Sequence, residues 1–116
     1  MINKYILITI GIFLLNNILI WYQLNSQLVW DWAKGPKSMW LMSLMGIPIS
    51  LLFWYATKWG YIGFGNLWAV RFIAFGVSYL IFPVMTWYFL GESMFTVKTL
   101  ACIFLSIIIL VIQLFL

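Results

Sequence analysis

Residues 67–116 read LWAVRFIAFGVSYLIFPVMTWYFLGESMFTVKTLACIFLSIIILVIQLFL, and they carry the clearest structural signal in the chain. Two apolar runs lie on either side of residues 91–93. Each run reaches the length of about 20 residues that an α-helix needs to cross hydrocarbon. A connection this short makes the two helices antiparallel neighbours. The stretch therefore predicts transmembrane helices over residues 67–90 and 94–116.

The preceding half of the chain contains two further apolar runs. Apolar runs over residues 5–24 and 38–57 predict two further transmembrane helices. Pro48 lies inside the second of them and is expected to kink it, because proline lacks a backbone donor. A glycine-rich segment over residues 58–66 predicts a turn, with Asn66 as the N-cap of the next helix. The sequence thus predicts four spans joined by short connections.

The composition places these spans in a lipid bilayer. The chain has 116 residues, of which 66% are hydrophobic and 7% charged, whereas a soluble domain needs about 25% charged residues. Eight Trp residues also suit the headgroup level of a membrane. We predict an all-α membrane protein, a single four-transmembrane-helix bundle over residues 1–116. The lipid bilayer is its expected partner and an inner (plasma) membrane of the bacterial type its expected location.

Several classes of function lack the residues that they require. The sequence has no His and one Cys, Cys102, which lies in an apolar run and is interpreted as a helix-packing residue. We therefore expect no metal site, no cofactor and no enzymatic activity. The six basic residues are scattered and form no stripe, so no nucleic-acid partner is expected.

The two acidic residues have local interpretations. Glu92 precedes the last predicted helix, where an anion complements the positive helix N-terminus, so a capping or orienting role is expected. Asp31 lies near Lys34 in the polar segment over residues 25–37, which is predicted to lie at the membrane interface. We expect these two side chains to form a solvated pair of small energetic value.

The basic residues do not orient the chain. Four spans place both termini on one side of the membrane, and each side then carries three cations: Lys4, Lys58 and Arg71 against Lys34, Lys37 and Lys98. The positive-inside rule counts such residues near the ends of spans. Equal numbers of cations on the two sides can arise by chance in a protein with few charges. They are also compatible with dual topology, in which copies insert both ways and pair antiparallel.

Two stretches carry a resemblance to a known family. Residues 82–92, FPVMTWYFLGE, place a Pro and an apolar run before Leu-Gly-Glu. Residues 54–61, WYATKWGY, look like the end of the preceding helix and its turn. This pattern resembles the drug/metabolite transporter superfamily, over about the last two thirds of the chain. The length and number of spans are similar to its small-multidrug-resistance branch. Because longer members carry two such repeats, the resemblance implies a homodimer, or a membrane partner, that completes a transport path.

One departure from the family bears on mechanism. Small multidrug exporters carry an essential Glu in the middle of the first helix, whereas this chain has Asn16 and Asn17 there. Asn does not titrate, so export coupled to protons by that Glu is not expected. Flippase subunits for lipid-linked carriers, and relatives of unestablished function, are then comparable candidates.

Five residues are predicted to bind substrate: Asn16, Asn17, Arg71, Ser78 and Tyr79. Asn17 and Tyr79 both lie about 18 Å from the side that bears the termini, near the midplane where transporters bind solutes. Ser78 follows Arg71 by two helical turns and shares its face. The alternatives are hydrogen bonding between helices for the polar residues and snorkelling for Arg71.

Arg71 has three expected neighbours by depth: Gln113 and the rings of Trp54 and Trp68. The leading hypothesis is a small transporter or flippase subunit that moves an amphipathic or organic solute as a dimer. The alternative is a non-transporting membrane subunit of a larger complex. A transporter predicts a polar cavity lined by Asn17, Tyr79 or Arg71, and an assembly partner predicts a packed bundle without one.

Overall fold

The computed structural model describes residues 3–116, which form helices joined by short connections. The helices are α1 (Lys4–Val29), α2 (Pro36–Leu44), α3 (Gly46–Phe64), α4 (Leu67–Leu90) and α5 (Val97–Phe115), with a 3-10 turn at Asp31–Ala33. α2 and α3 together form one span, so four segments are long and apolar enough to cross a membrane. The predicted all-α four-helix fold is confirmed, and the chain is an integral multi-pass membrane protein.

Local side-chain chemistry sets where the helices begin and end. The Asn66 side chain accepts a hydrogen bond from the Ala69 N–H at 2.8 Å, which confirms it as the N-cap of α4. Gly91 ends α4 with φ of 74°, a conformation that glycine adopts without a steric penalty. α5 starts only at Val97, because Thr96 accepts from the Thr99 N–H at 3.3 Å.

This start corrects the prediction for Glu92. The residue lies in the linker over residues 91–96, and α5 has no acidic residue in its first turn. The carboxylate is therefore too far from the helix N-terminus to cap it, since the favourable effect of a charge is confined to the first turn.

The glycine-rich segment predicted as a turn is helical instead. α3 continues through Gly60 and Gly63 to Phe64, and only Gly65, with φ of 80°, leaves the helix. The physical reason is packing. A Cβ on Gly60 would lie 3.0 Å from Val70 and 3.1 Å from Thr9, and one on Gly63 would lie 3.0 Å from the backbone N of Ile6. These glycines let α3 approach its neighbours.

The second span is interrupted near Pro48, as predicted. α2 ends at Leu44, Met45 separates it from α3, and Pro48 follows within the first turn of α3. Pro48 has no N–H to donate to the Leu44 carbonyl, so the regular hydrogen-bond ladder is broken at this point. By contrast, α4 passes through Pro83 without a break in the helix.

The bundle is organised around α1, which packs between α3 and α4. Phe13 of α1 lies in the buried core with four residues of α3 and α4: Ala56, Val70, Ile73 and Val77. α5 is peripheral, and among the described helices it packs against α4 alone. At that contact, a Cβ on Gly76 would lie 2.8 Å from Leu110, so the two helices touch closely.

An aromatic cluster ties the connection after α1 to the end of α4. Trp21 stacks on Phe89 with ring centroids 5.1 Å apart, and Trp30 meets the same Phe89 ring edge-on at 5.6 Å. Trp30 also stacks on Trp32 at 6.3 Å. Tryptophans gather at the headgroup level of membranes, so this end of the bundle carries the aromatic belt expected of an interface.

Candidate functional site

A cavity of about 500 Å³ lies where α1, α3 and α4 meet, toward the side that bears the termini. Its walls are apolar and largely aromatic, formed by Phe13, Phe53, Leu67, Trp68, Val70 and Ala74. Two polar residues complete the lining, Thr57 of α3 and Arg71 of α4. We call this space the Arg71 cavity. It can accommodate an apolar group beside one fixed positive charge.

Arg71 is exposed and carries its charge at the edge of this cavity. Its guanidinium lies over the Phe75 ring, 5.3 Å from the centroid, rather than over Trp54 or Trp68. The Trp54 ring faces Lys58 at 5.4 Å, and Trp68 stacks on Phe72 at 6.0 Å. No carboxylate pairs with Arg71 within residues 3–116. The guanidinium therefore has donors left for a ligand.

Asn16 and Asn17 occupy different environments on α1. The Asn16 side chain is fully buried, and neither its Nδ2 nor its Oδ1 has a partner among the described residues. The Asn17 Nδ2 donates to the Phe13 carbonyl of its own helix at 2.8 Å. Neither residue lines the Arg71 cavity. Asn17 is bonded locally, whereas Asn16 keeps its full hydrogen-bonding capacity unused.

The structure separates the remaining predicted residues. Ser78 is half-buried and does not line the Arg71 cavity. Tyr79 is 55% exposed and lines a different cavity, between α4 and α5. The five residues predicted as one group are thus separated: Arg71 lies at one cavity, Tyr79 at another, and Asn16 with Asn17 inside the helix contacts. Ser78, half-buried on α4, lines neither cavity.

The second cavity, of about 340 Å³, lies at the opposite end of α4. It is lined by both α4 and α5 and by the linker between them, and it contains the charged residues Glu92 and Lys98. We call it the linker cavity. Its polar members are Tyr79, Thr86, Ser93 and Thr99, which makes its lining richer in hydroxyl groups than that of the Arg71 cavity.

Sequence reasoning missed the walls of the Arg71 cavity. The sequence did not predict Phe13, Phe53 and Thr57 as site residues, because aromatic and hydroxyl residues are common throughout this chain. Phe53 and Thr57 are four residues apart and share a helix face. That spacing was visible, but only the packing of α1 against α3 shows that this face meets Phe13, whose ring lies 6.1 Å from Phe53.

Two other predicted features can be compared with the structure. Asp31 and Lys34 form the expected ion pair, at 3.1 Å, with both side chains exposed. Cys102, interpreted as a packing residue, is instead exposed on α5, because α5 contacts only one neighbouring helix. No group of three His, Cys, Asp or Glu that could hold a metal ion occurs in the described part of the chain.

Comparison with protein-family models, with curated proteins and with solved structures finds no match for this chain. The geometry of the two cavities and of the buried Asn16 is therefore the basis for a functional proposal. Among these features, the Arg71 cavity combines three converging helices, a ligand-sized volume and an available charge.

Proposed function

We propose that this chain is a subunit of a small transporter or flippase of the drug/metabolite type, in a plasma (bacterial inner) membrane. In this proposal it works as a dimer, parallel or antiparallel, and moves an amphipathic organic solute. The observation that carries the proposal is the Arg71 cavity, an apolar space with one available cation at its edge.

The size and lining of the cavity support an amphipathic ligand. A volume of about 500 Å³ lies within the range of roughly 300–1,000 Å³ typical of small-molecule sites. Apolar walls with a few polar groups are also typical of such sites. The guanidinium of Arg71 presents a planar set of donors that matches a phosphate or carboxylate. The expected solute therefore has an apolar body and an anionic head.

The position of Arg71 supports entry from the membrane. It lies four residues into α4, which corresponds to a depth of about 6 Å along the helix. Leu67 and Trp68, which line the cavity, are 59% and 74% exposed. In this proposal the rim lies where headgroups meet hydrocarbon, and a lipid-soluble molecule enters the cavity sideways.

The buried Asn16 supports a path beyond this cavity. A buried amide without a hydrogen-bond partner costs roughly 1–3 kcal/mol. A conformation in which the helices separate around Asn16, and a passing solute or water bonds to it, removes that penalty. In the proposal, Arg71 recognises the head of the solute and Asn16 contacts it during passage.

Coupling through a carboxylate inside the described helices is not part of this proposal. The chain has two acidic residues, and Asp31 lies in the 3-10 turn and Glu92 in the linker before α5. Neither lies within a membrane-spanning helix. We propose that movement follows the gradient of the solute, or depends on a partner subunit.

The alternative, a non-transporting subunit of a larger complex, is supported by α5. This helix contacts only α4 among the described helices, and most of its side chains are exposed. An exposed apolar helix suits packing against another membrane protein as well as against lipid. Transport through the cavity requires the charge of Arg71, whereas assembly through α5 does not.

The experiment uses the full chain in proteoliposomes with NBD-labelled phosphatidylglycerol as the anionic amphiphile. Dithionite reduces only the label in the outer leaflet, so it measures movement between leaflets. We expect the protein to accelerate this movement, and Arg71→Gln to reduce the rate. Lys58→Gln is the matched control, because Lys58 is an exposed cation on the same side of the bundle and does not line the cavity.

Two results would overturn the proposal. One is that neither labelled phosphatidylglycerol nor any other amphiphile tested moves between leaflets faster than in protein-free liposomes. The other is an equal loss in Arg71→Gln and Lys58→Gln, because the effect would then reflect surface charge and not the cavity.

A further inference from the structure

The linker cavity holds an acid and a base that do not pair with each other. Glu92 and Lys98 both line this space of about 340 Å³, one from the linker and one from the first turn of α5. Within residues 3–116 the only ion pair joins Lys34 to Asp31. Two opposite charges that form no ion pair with each other therefore line one cavity.

Polar and aromatic groups surround these charges. Thr86 lines the cavity and is held in place by the Trp21 Nε1–H, which donates to its Oγ1 at 3.0 Å. Pro83, also in the lining, has no N–H, so the Tyr79 carbonyl lacks its usual helical donor. The rings of Tyr79 and Phe82 add aromatic faces of the kind that attract an ammonium group.

The two charges disfavour two simple classes of ligand. A purely anionic group that binds Lys98 also meets the carboxylate of Glu92, and a purely cationic group that binds Glu92 also meets Lys98. A zwitterion satisfies both, with its ammonium toward Glu92 and its anion toward Lys98. The pair is thus electrostatically complementary to a neutral ligand with separated charges.

The position of the linker cavity favours a membrane lipid as that ligand. The linker cavity lies at one of the aromatic-rich ends of the bundle, where Trp87 meets Phe95 edge-on at 5.5 Å. Headgroups are concentrated at this level. We propose that the linker cavity binds a zwitterionic ammonium–phosphate headgroup, that of a phosphatidylethanolamine, through Glu92 and Lys98. This site is separate from the Arg71 cavity, and binding there does not require transport.

The test measures lipid binding to the full chain in detergent by native mass spectrometry. All proteins carry Arg71→Gln, so that the cation of the Arg71 cavity does not contribute to the binding of an anionic lipid. Phosphatidylethanolamine and phosphatidylglycerol are added separately at equal concentrations, and we expect the Arg71→Gln protein to bind phosphatidylethanolamine more tightly. Because exposed charge interactions contribute up to about 1 kcal/mol, Glu92→Gln should weaken phosphatidylethanolamine binding roughly three- to fivefold. The same variant should leave phosphatidylglycerol binding unchanged or tighter, whereas Lys98→Gln should weaken both.

Matched controls lie on the same side of the bundle. Asp31→Asn removes an exposed acid that already pairs with Lys34, and Lys37→Gln removes an exposed base that does not line the linker cavity. Equal binding of the two lipids to the Arg71→Gln protein would overturn the proposal. So would an Asp31→Asn variant whose lipid preference changes as much as that of Glu92→Gln.

Competition with soluble phosphoethanolamine distinguishes a site for the headgroup alone from a site that also binds the acyl chains. Displacement of the lipid by phosphoethanolamine supports a site that recognises the headgroup alone. Lipid binding that depends on Glu92 but resists phosphoethanolamine supports a site that also requires acyl chains. Thermal unfolding of each variant checks that the fold is retained, which we expect because Glu92 and Lys98 are exposed.

Discussion

Trp21 and Thr86 are joined by a hydrogen bond of 3.0 Å from the indole Nε1–H to the hydroxyl Oγ1. Trp21 is 1% exposed, so its N–H has no access to solvent. The bond links α1 directly to α4 beside the aromatic cluster and holds one wall of the linker cavity. It is the only hydrogen bond between side chains of these two helices in the described chain.

Thr86→Val is expected to destabilise the bundle by about 1 kcal/mol, because it leaves the buried Trp21 N–H without an acceptor. The measurement is unfolding in mixed micelles with increasing SDS. Ser43→Ala serves as the control, since its exposed hydroxyl donates only to the Met39 carbonyl one turn earlier. A Thr86→Val protein as stable as wild type would mean that the indole finds another partner.

Asn16→Leu is expected to stabilise the bundle by about 1–3 kcal/mol, because it replaces an unpartnered buried amide by an apolar side chain of similar size. In proteoliposomes the same variant should move the amphiphile more slowly than wild type. Asn17→Leu is the neighbouring control, with a smaller gain expected because its amide already bonds the Phe13 carbonyl. A loss of stability in Asn16→Leu would contradict this account.

Gly63→Ala is expected to destabilise the protein by about 1–3 kcal/mol, as overpacked sites do. The added methyl group would lie 3.0 Å from the Ile6 backbone N and 3.1 Å from the Tyr5 Cβ, which cannot rotate away. Gly11→Ala is the matched control inside α1, where a new Cβ meets nothing within 4 Å. That variant should be neutral or up to about 1 kcal/mol more stable. Equal thermal shifts in the two variants would rule out close packing at Gly63.

Orientation can be measured with single cysteines in a Cys102→Ala background. Ser93→Cys and Leu116→Cys place exposed thiols at opposite ends of the bundle without changing a charge. Because three cations lie on each side, we expect an impermeant maleimide to label about half of the copies at each position in intact cells. Complete labelling of one position and none of the other would establish a single orientation and an assembly without antiparallel pairs.

Local chemistry made much of the fold predictable from sequence. Asn66 and Gly91 act through their own backbone neighbourhood, so a helix start and a helix stop could be read without knowing what packs nearby. Gly60 and Gly63 could not be interpreted in this way. The same residue type suits a turn or a close helix contact, and only the approach of α1 to α3 decides between them.

The candidate site was harder to predict because it depends on which helix faces meet. Tyr79 follows Arg71 by eight residues, which rotates it by about 80° around α4. That angle is enough to turn Tyr79 toward α5 while Arg71 stays beside α3. Depth placed Asn17 and Tyr79 in one layer, but depth alone does not say which side of a helix a residue occupies.

The central position of α1 has a consequence for biosynthesis. Phe13 is translated well before its core partners Val70, Ile73 and Val77, which come from α4. α1 therefore stays in the membrane without its core partners until α4, the third span, has been synthesised. During this time the amide of Asn16 is not yet buried against other helices. Only then can the native core close around it, and α5 is added afterwards to a bundle that is already assembled.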